Sequence, residues 1–298
     1  MDNRPIGIFD SGMGGLTVRA EIARALPHES LVYFGDGANV PYGPRPKEEI
    51  IALVDSAIAR LIDRNVKMVV VACNAATGAA IDHLRAKYDV PIVGMEPAVK
   101  PAALTTRTGV VGVLATIAAF KGELYRATAA RFRKTVRIIE TVGEGFVELV
   151  ENDQEESPQA LEIVRRAVEP LLEAGADRIV LGCTHYPYLE PQIRRVIEKW
   201  SGRPEGRSEF ETTERESAKS SCKNVIEYDK SSKIGATDVH IVDSAPAIAR
   251  RVEQLLTEHD LHAEPGGEGP KHEFLSCADE NYLEHLARKS AKVPLSRK

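Results

Sequence analysis

Short apolar runs alternate along this chain with longer stretches in which apolar residues recur at helical spacing. Apolar runs at 5–9, 31–35, 66–72 and 91–95 predict short buried strands. The clearest helical stripe falls in 47–65, where the apolar positions are 50, 51, 54, 57, 58, 61 and 62. Strands separated by helices predict a parallel sheet with right-handed crossover connections.

The alternation then starts again in the second half of the chain. Strands are predicted at 108–114, 136–139 and 178–181, with helices at 122–133 and 159–174. We therefore predict two similar parallel-sheet α/β domains related by a pseudo-twofold, with the active site in the cleft between them. The expected bounds are 1–96 plus 237–262 for the first domain and 97–200 for the second. In this prediction a strand at 239–244 returns to complete the first domain's sheet, and a helix follows at 245–258.

Two segments depart from the alternation. Residues 201–236 are dense in Glu, Lys, Arg and Ser, a composition that cannot bury enough apolar surface to offset the entropy of ordering. We predict a charged, largely disordered insertion there. Residues 263–298 are expected to form a polar C-terminal tail with one short helix at 281–291.

Composition and charge exclude several classes of protein. The chain has 298 residues, 43% hydrophobic and 28% charged, which is typical of a soluble globular protein with room for two domains. A net charge of −5 argues against non-specific nucleic-acid binding. No apolar run approaches the roughly 20 residues of a membrane span, and the N-terminus enters a strand without a signal-peptide segment. We therefore expect a cytoplasmic protein that binds neither nucleic acid nor a membrane.

The four cysteines are Cys73, Cys183, Cys222 and Cys277, and none lies in a C-x-x-C pair. A structural zinc site is therefore not predicted, and no metal is expected. Cys73 and Cys183 each follow an apolar run, where a strand ends and a helix begins. Taken singly, each would be interpreted as a small buried hydrophobe. Their matched positions in the two halves favour a functional pair instead.

Two thiols that face one pocket can act as an acid and a base on opposite faces of a carbon atom. Open α/β sheets bind ligands at the carboxyl ends of their strands, where both cysteines are predicted to lie. A thiolate would remove a proton from one face, and a thiol on the other face would return one. Since free cysteine has a pKa of about 8.5, the base needs help from a helix N-terminus or a neighbouring donor.

Polar residues beside the first cysteine are candidates to assist it. Asp10 and Ser11 end the first strand, where the carboxylate could accept from an ammonium group or orient Cys73. Capping of the following helix is the alternative. The glycines that follow are spaced as in a dinucleotide-binding turn, but Thr17 stands where the third glycine belongs, and a nucleotide site is not favoured.

The second cysteine also has candidate partners. His185 could polarise or protonate Cys183, and Glu151 could neutralise that histidine or a substrate ammonium. A core histidine and a solvated helix-end charge are the alternatives. The rigid loop at 41–43 could line a small pocket or form a plain surface turn.

Several separated motifs together resemble those of one family. They are Gly7-Ile8-Phe9-Asp10-Ser11-Gly12, Val40-Pro41-Tyr42-Gly43, Val71-Ala72-Cys73-Asn74, Gly112-Val113-Leu114-Ala115-Thr116, Leu181-Gly182-Cys183-Thr184-His185-Tyr186-Pro187 and Asp243-Ser244-Ala245 with Ile248-Ala249-Arg250-Arg251. These runs, in this order, resemble the glutamate racemases of the aspartate/glutamate racemase superfamily. The resemblance covers about 5–200 and 239–256.

The resemblance implies a cofactor-independent racemase that interconverts L- and D-glutamate and supplies D-glutamate for bacterial peptidoglycan. It implies that Cys73 deprotonates the D-isomer and Cys183 the L-isomer, with Asp10 and His185 as their respective assistants. A homodimer is also implied. The implied substrate-binding residues are Asp10, Ser11, Pro41, Tyr42, Gly43, Asn74, Ala75, Thr116, Glu151, Thr184 and His185, with Glu151 supporting His185.

This chain departs from the family pattern at Ala75, where a threonine usually follows the Cys-Asn pair. One hydroxyl donor to the substrate is absent there, so only the backbone N–H remains. Two other functions stay open on the sequence alone: an aspartate racemase, and a protein that binds dicarboxylates without turnover. No role is predicted for Cys222 or Cys277.

Overall fold

The computed structural model describes residues 1–95, 97–201, 239–265 and 269–293. Two separate β-sheets form within these ranges, and every strand pairing in both is parallel. The strands are β1 Ile6–Asp10, β2 Leu31–Gly35, β3 Met68–Val71, β4 Ile92–Gly94, β5 Val110–Ala115, β6 Arg137–Val142, β7 Arg178–Gly182, β8 His240–Val242 and β9 His272–Ser276. The predicted fold class, two parallel-sheet α/β domains, is confirmed. The predicted insertion at 201–236, with Cys222, lies outside the described residues apart from position 201.

Helices connect the strands and cover the sheets. They are α1 Leu16–Ala25, α2 Lys47–Ile62, α3 Asn74–Lys87, α4 Val99–Thr105, α5 Ile117–Lys121, α6 Glu123–Phe132, α7 Phe146–Glu151, α8 Pro158–Glu173, α9 Glu190–Ser201, α10 Ala245–Glu258 and α11 Glu280–Ser290, with a 3₁₀ turn at Tyr186–Leu189. The sequence patterns did not predict α4, α5 or α9. In the described part of the chain, no helix combines the length and apolarity needed to cross a bilayer.

The two sheets repeat one strand order. The first runs β4-β3-β1-β2-β9, and the second, read in the same sense, runs β8-β7-β5-β6. The strand that precedes each cysteine therefore lies beside the first strand of its sheet, as β3 beside β1 and β7 beside β5. Because parallel strands end at a common edge, Cys73 and Cys183 occupy equivalent places in the two domains.

The strand expected to complete the first sheet belongs to the second, so that prediction is wrong. His240–Val242 pairs with β7, in register with Arg178–Val180. It occupies in the second sheet the place that β4 holds in the first, beside the cysteine strand. The helix that follows, α10, does pack on the first domain through α1. The chain thus crosses between the domains directly after β8.

The segment after 263 holds more structure than a polar tail. Its strand β9 pairs with β2 at the edge of the first sheet, and its half-buried residues explain why no continuous apolar run marked it. The helix predicted at 281–291 is present as α11. Leu286 of this helix is fully buried in the core of the first domain.

Helices cover both faces of each sheet. Ile8 and Val70 pack beneath α1 and α10, whereas Phe9 and Val71 pack beneath α2 and α3. The second sheet is covered by α8 and α9 on one face and by α4 and α6 on the other. Burial on both faces explains why the inner strands β1, β3, β5 and β7 are largely continuous apolar runs rather than alternating ones.

Candidate active site

Both predicted cysteines line one cavity of about 290 Å³ between the two domains. Cys73 comes from the end of β3 and Cys183 from the end of β7. Cys73 is 6% exposed and Cys183 is half-buried. The other predicted residues that line the cavity are Ser11, Pro41, Tyr42, Gly43, Asn74, Ala75, Thr116, Thr184 and His185. Asp10 and Glu151 do not line the cavity, but they contact the lining residues Thr184 and His185.

The thiol of Cys73 sits at the N-terminus of α3. Its Sγ accepts a hydrogen bond from the backbone N–H of Ala76 at 3.4 Å, and it lies 3.6 Å from the hydroxyl of Ser11. This cap begins the helix at Asn74. Burial, reinforced by the charge of Asp10, raises the pKa of Cys73 to about 12 despite these two contacts.

Asp10 lies behind the cavity and joins the two domains. Its carboxylate accepts from the backbone N–H of Gly12 at 2.8 Å and from the hydroxyl of Thr184 at 3.0 Å. Burial raises the pKa of Asp10 to about 6 in spite of those hydrogen bonds and the nearby His185. Capping of α1 was the alternative role, but that helix begins after Gly15 without a side-chain cap.

The Cys183 side contains a buried relay of three groups. Nδ1 of His185 lies 3.7 Å from Sγ of Cys183, and its Nε2 lies 2.6 Å from Oε1 of Glu151. Burial alone would lower the pKa of His185, but the contacts with Cys183 and Glu151 outweigh it and raise that pKa well above its ordinary value. Burial has the opposite effect on Glu151 and would raise its pKa. The hydrogen bonds from His185 and other donors outweigh burial, so the pKa of Glu151 is lowered. Glu151 ends α7 as foreseen, but its side chain is only 10% exposed, so it is not a solvated helix-end charge.

The glycine turn after β1 is explained by close packing between the domains. A Cβ at Gly12 would collide with the carboxylate of Glu151, and one at Gly14 would collide with His185 and Thr184. Asp36, which follows β2, accepts hydrogen bonds from Asn39 at 2.9 Å and from Tyr42 at 2.5 Å. The turn is therefore filled by protein groups rather than open to a nucleotide.

Several polar groups face the cavity with hydrogen-bonding capacity to spare. Asn74 is buried, and neither its amide oxygen nor its amide nitrogen has a partner among the described residues. Thr116 caps α5 by accepting from the N–H of Ala119 at 3.2 Å. Gly43 faces Thr116 closely enough that an added Cβ would touch it. An unpaired buried amide is costly, and a polar ligand would satisfy it.

One wall of the cavity was missed by the sequence analysis. It is formed mainly by the end of β6 and the segment that follows: Val142, Gly143, Glu144, Gly145, Val147 and Glu148. Pro44 from a loop and Ile117 from the start of α5 complete it. The predicted strand ended at 139, but β6 continues to Val142 and reaches the same edge as β5 and β7. The predicted strand was too short to show that the loop after β6 reaches the cavity.

Comparison with known proteins gives the same family as the sequence motifs. A family model described as Asp/Glu/Hydantoin racemase matches residues 16–202. A glutamate racemase of Roseiflexus sp. (strain RS-1) is 43% identical over 259 residues, which cover 87% of this chain and 81% of that protein. The chain belongs to the glutamate racemase family. This membership confirms the family that the motifs indicated and makes the protein an amino-acid racemase, an isomerase.

Solved structures of glutamate racemases share the fold across nearly the whole chain. An isoform from Bacillus anthracis superposes with a TM-score of 0.77 at 28% identity, covering 99% of this chain and 97% of that one. The Escherichia coli enzyme superposes with a TM-score of 0.73 at 30% identity, covering 98% and 96%. That structure is a complex with L-glutamate and the activator UDP-MurNAc-ala.

Proposed function

We propose that this racemase interconverts L- and D-glutamate without a cofactor, by proton transfer between Cα and the two thiols of Cys73 and Cys183. The observation that carries the proposal is the shared cavity, which receives one cysteine from each domain. The E. coli relative bound to L-glutamate supports the choice of substrate.

In the direction from L- to D-glutamate, the thiolate of Cys183 removes the Cα proton. The electron pair of the C–H bond moves onto Cα and its carboxylate, and Cys183 becomes a thiol. The thiol of Cys73 then donates its proton to the opposite face of Cα and becomes a thiolate. The reverse direction exchanges the roles, and proton exchange with water restores the starting state. No group other than protons is transferred, so no oxidant or reductant is required.

The surroundings of the two thiols suit these roles. The raised pKa keeps Cys73 as a thiol near neutral pH, the form that donates a proton. His185, whose pKa is raised, is a cation near neutral pH and lies where it can stabilise a thiolate on Cys183. We assign Asp10 to assist Cys73 and Glu151 to hold His185.

Backbone and hydroxyl groups would hold the substrate carboxylates. No Lys or Arg is among the described residues that line the cavity. The N-termini of α3 and α5 open onto it, however, and their N–H groups bind anions well. We assign the substrate contacts to these termini, to the amide of Asn74, to the Tyr42–Gly43 loop and to the hydroxyls of Ser11, Thr116 and Thr184. Fixed dipoles in a closed pocket would also stabilise the carbanion.

We further propose that the product D-glutamate supplies bacterial peptidoglycan, and that the protein acts in the cytoplasm as a homodimer. The family resemblance supports these assignments.

Circular dichroism of the substrate tests the activity directly. Purified protein without added cofactor should convert each glutamate enantiomer to the same racemic endpoint, and glutamate should turn over faster than aspartate. Faster turnover of aspartate would reassign the substrate. Calorimetric binding of glutamate with no change in optical signal would instead indicate a dicarboxylate-binding protein and contradict the proposal.

A further inference from the structure

Three separate parts of the molecule converge on the carboxylate of Glu151. Its Oε1 accepts from the backbone N–H of Met13 at 2.7 Å and lies 2.6 Å from Nε2 of His185. Its Oε2 accepts from the hydroxyl of Tyr282 at 3.2 Å. Tyr282 belongs to α11, so the C-terminal helix reaches this carboxylate from outside the cavity.

The position of Tyr282 is fixed on several sides. Its backbone N–H donates to the helix-capping carboxylate of Asp279 at 3.0 Å. Its ring lies against Gly37, where an added Cβ would clash with the face of the ring. One turn further along α11, Leu286 is fully buried in the core of the first domain. The phenol therefore presents its hydroxyl to Glu151 from a rigid support.

The far end of the same helix holds the chain next to Glu151. Lys289 is buried, and its Nζ donates to the carbonyl of Val150 at 2.9 Å. It also donates to Asp153 at 2.7 Å and to Glu155 at 2.5 Å. The helix thus fixes both the backbone before Glu151 and the carboxylate itself.

We propose that Tyr282 is a positioning residue for proton transfer at Cys183, acting through Glu151 and His185; this inference rests on the function proposed above. A carboxylate anchored at both oxygens cannot rotate, and it holds the imidazole at the angle that faces Cys183. Groups behind a catalytic histidine orient it in the same way in other enzymes. Among the described residues, the hydrogen bonds of Cys73 go to Ser11 and Ala76 and do not involve α11.

Kinetic isotope effects measured with Cα-deuterated glutamate in a Tyr282→Phe variant test this assignment. Loss of one hydrogen bond to a carboxylate should lower kcat/KM about tenfold. The loss should be equal for both enantiomers, because the equilibrium constant of a racemisation is one. The step at Cys183 becomes slower, so the isotope effect of Cα-deuterated L-glutamate should rise and that of Cα-deuterated D-glutamate should fall. Tyr125→Phe is the matched control, since its hydroxyl also donates to a glutamate, Glu140, away from the cavity.

The outcomes separate the inference from the function on which it depends. Isotope effects that stay unchanged, or that change equally for both enantiomers, would overturn the positioning role. A wild-type protein that does not racemise glutamate would refute the proposed function instead. A double-mutant cycle separates a positioning role from a general loss of structure. In a Glu151→Ala background, Tyr282→Phe should cause no further loss of kcat/KM, because the carboxylate through which Tyr282 acts is already absent. A further tenfold loss in that background would also contradict the inference.

Discussion

The two sides of the cavity are alike in topology and different in electrostatics. Cys73 and Cys183 follow equivalent strands of the two sheets. Cys73 is buried against a helix N-terminus and a neutral hydroxyl, whereas Cys183 is half-buried beside a histidine tied to a carboxylate. Duplicated strand order thus places two similar groups, while the neighbouring side chains give each thiol different surroundings.

Removal of either thiol should have the largest effect. Cys73→Ser and Cys183→Ser should each lower racemisation about a thousandfold, because a serine hydroxyl is a far weaker acid than a thiol and hardly ionises to the form that could act as a base. The rate is measured by circular dichroism from each enantiomer. Cys277→Ser is the control, since that cysteine is exposed and does not line the cavity. Near wild-type turnover in either active-site variant would refute the two-thiol mechanism.

The buried carboxyl behind Cys73 should make stability depend on pH. The pKa of Asp10 is raised from 3.8 to about 6, so between these values the folded protein keeps a proton that the unfolded chain has lost. The free energy of unfolding should therefore fall by about 3 kcal/mol as pH rises through this range. Asp10→Asn cannot ionise and should lack that decline, which urea denaturation at pH 4.5 and 7 would reveal.

A surface carboxyl gives a control of opposite sign. The hydrogen bond from Arg4 lowers the pKa of Asp2, so its contribution to stability is lost as pH falls. Asp2→Asn should thus remove a term that favours the folded state at higher pH. An Asp10→Asn variant that follows the wild-type pH profile would show that Asp10 is ionised throughout.

The two thiols should also differ in reactivity. At neutral pH we expect iodoacetamide to modify Cys73 at least about tenfold more slowly than Cys183, because Cys73 is buried and its pKa is raised. Peptide mass spectrometry after timed quenching gives both rates, and the unfolded chain, in which the rates should converge, is the control. Equal modification rates for Cys73 and Cys183 in the folded protein would contradict the proposed difference between the two sides of the cavity.

The smallest effect is expected at Ala75. This residue lines the cavity next to Cys73 and Asn74 but offers only its backbone N–H. Ala75→Ser adds a hydroxyl donor, and one further hydrogen bond should lower the KM for glutamate about fivefold. Steady-state kinetics measures it, with kcat expected to change less. An unchanged or raised KM would show that the substrate does not reach this position.

Some features of this molecule are local, and those were predictable from the sequence. The inner strands β1, β3, β5 and β7 are apolar runs that end at polar turns, so these strands and both cysteine turns could be placed. Strand β8 is too short for its partner to be visible in its own residues, and β9 is half-buried at a sheet edge. The positions of β8 and β9 depend on which sheet edges are left unpaired by the rest of the chain.

The site shows the same division. Cys73, Cys183 and their neighbours lie at strand ends and could be named. The wall at 142–148 and the contact of Tyr282 with Glu151 arise from packing between segments distant along the chain. Such contacts leave little local signal, although Gly37 marks one of them, because the ring of Tyr282 fills the space of a side chain there.

Deuterium incorporation during the first turnovers tests the two-sided mechanism most directly. In D₂O, L-glutamate should yield D-glutamate that carries deuterium at Cα, while the L-glutamate still present keeps its proton. This outcome requires one group to remove the proton and a different, solvent-exchanged group to deliver the next. Early product that retains the original proton would contradict the account, because a single base would then be returning it to the other face.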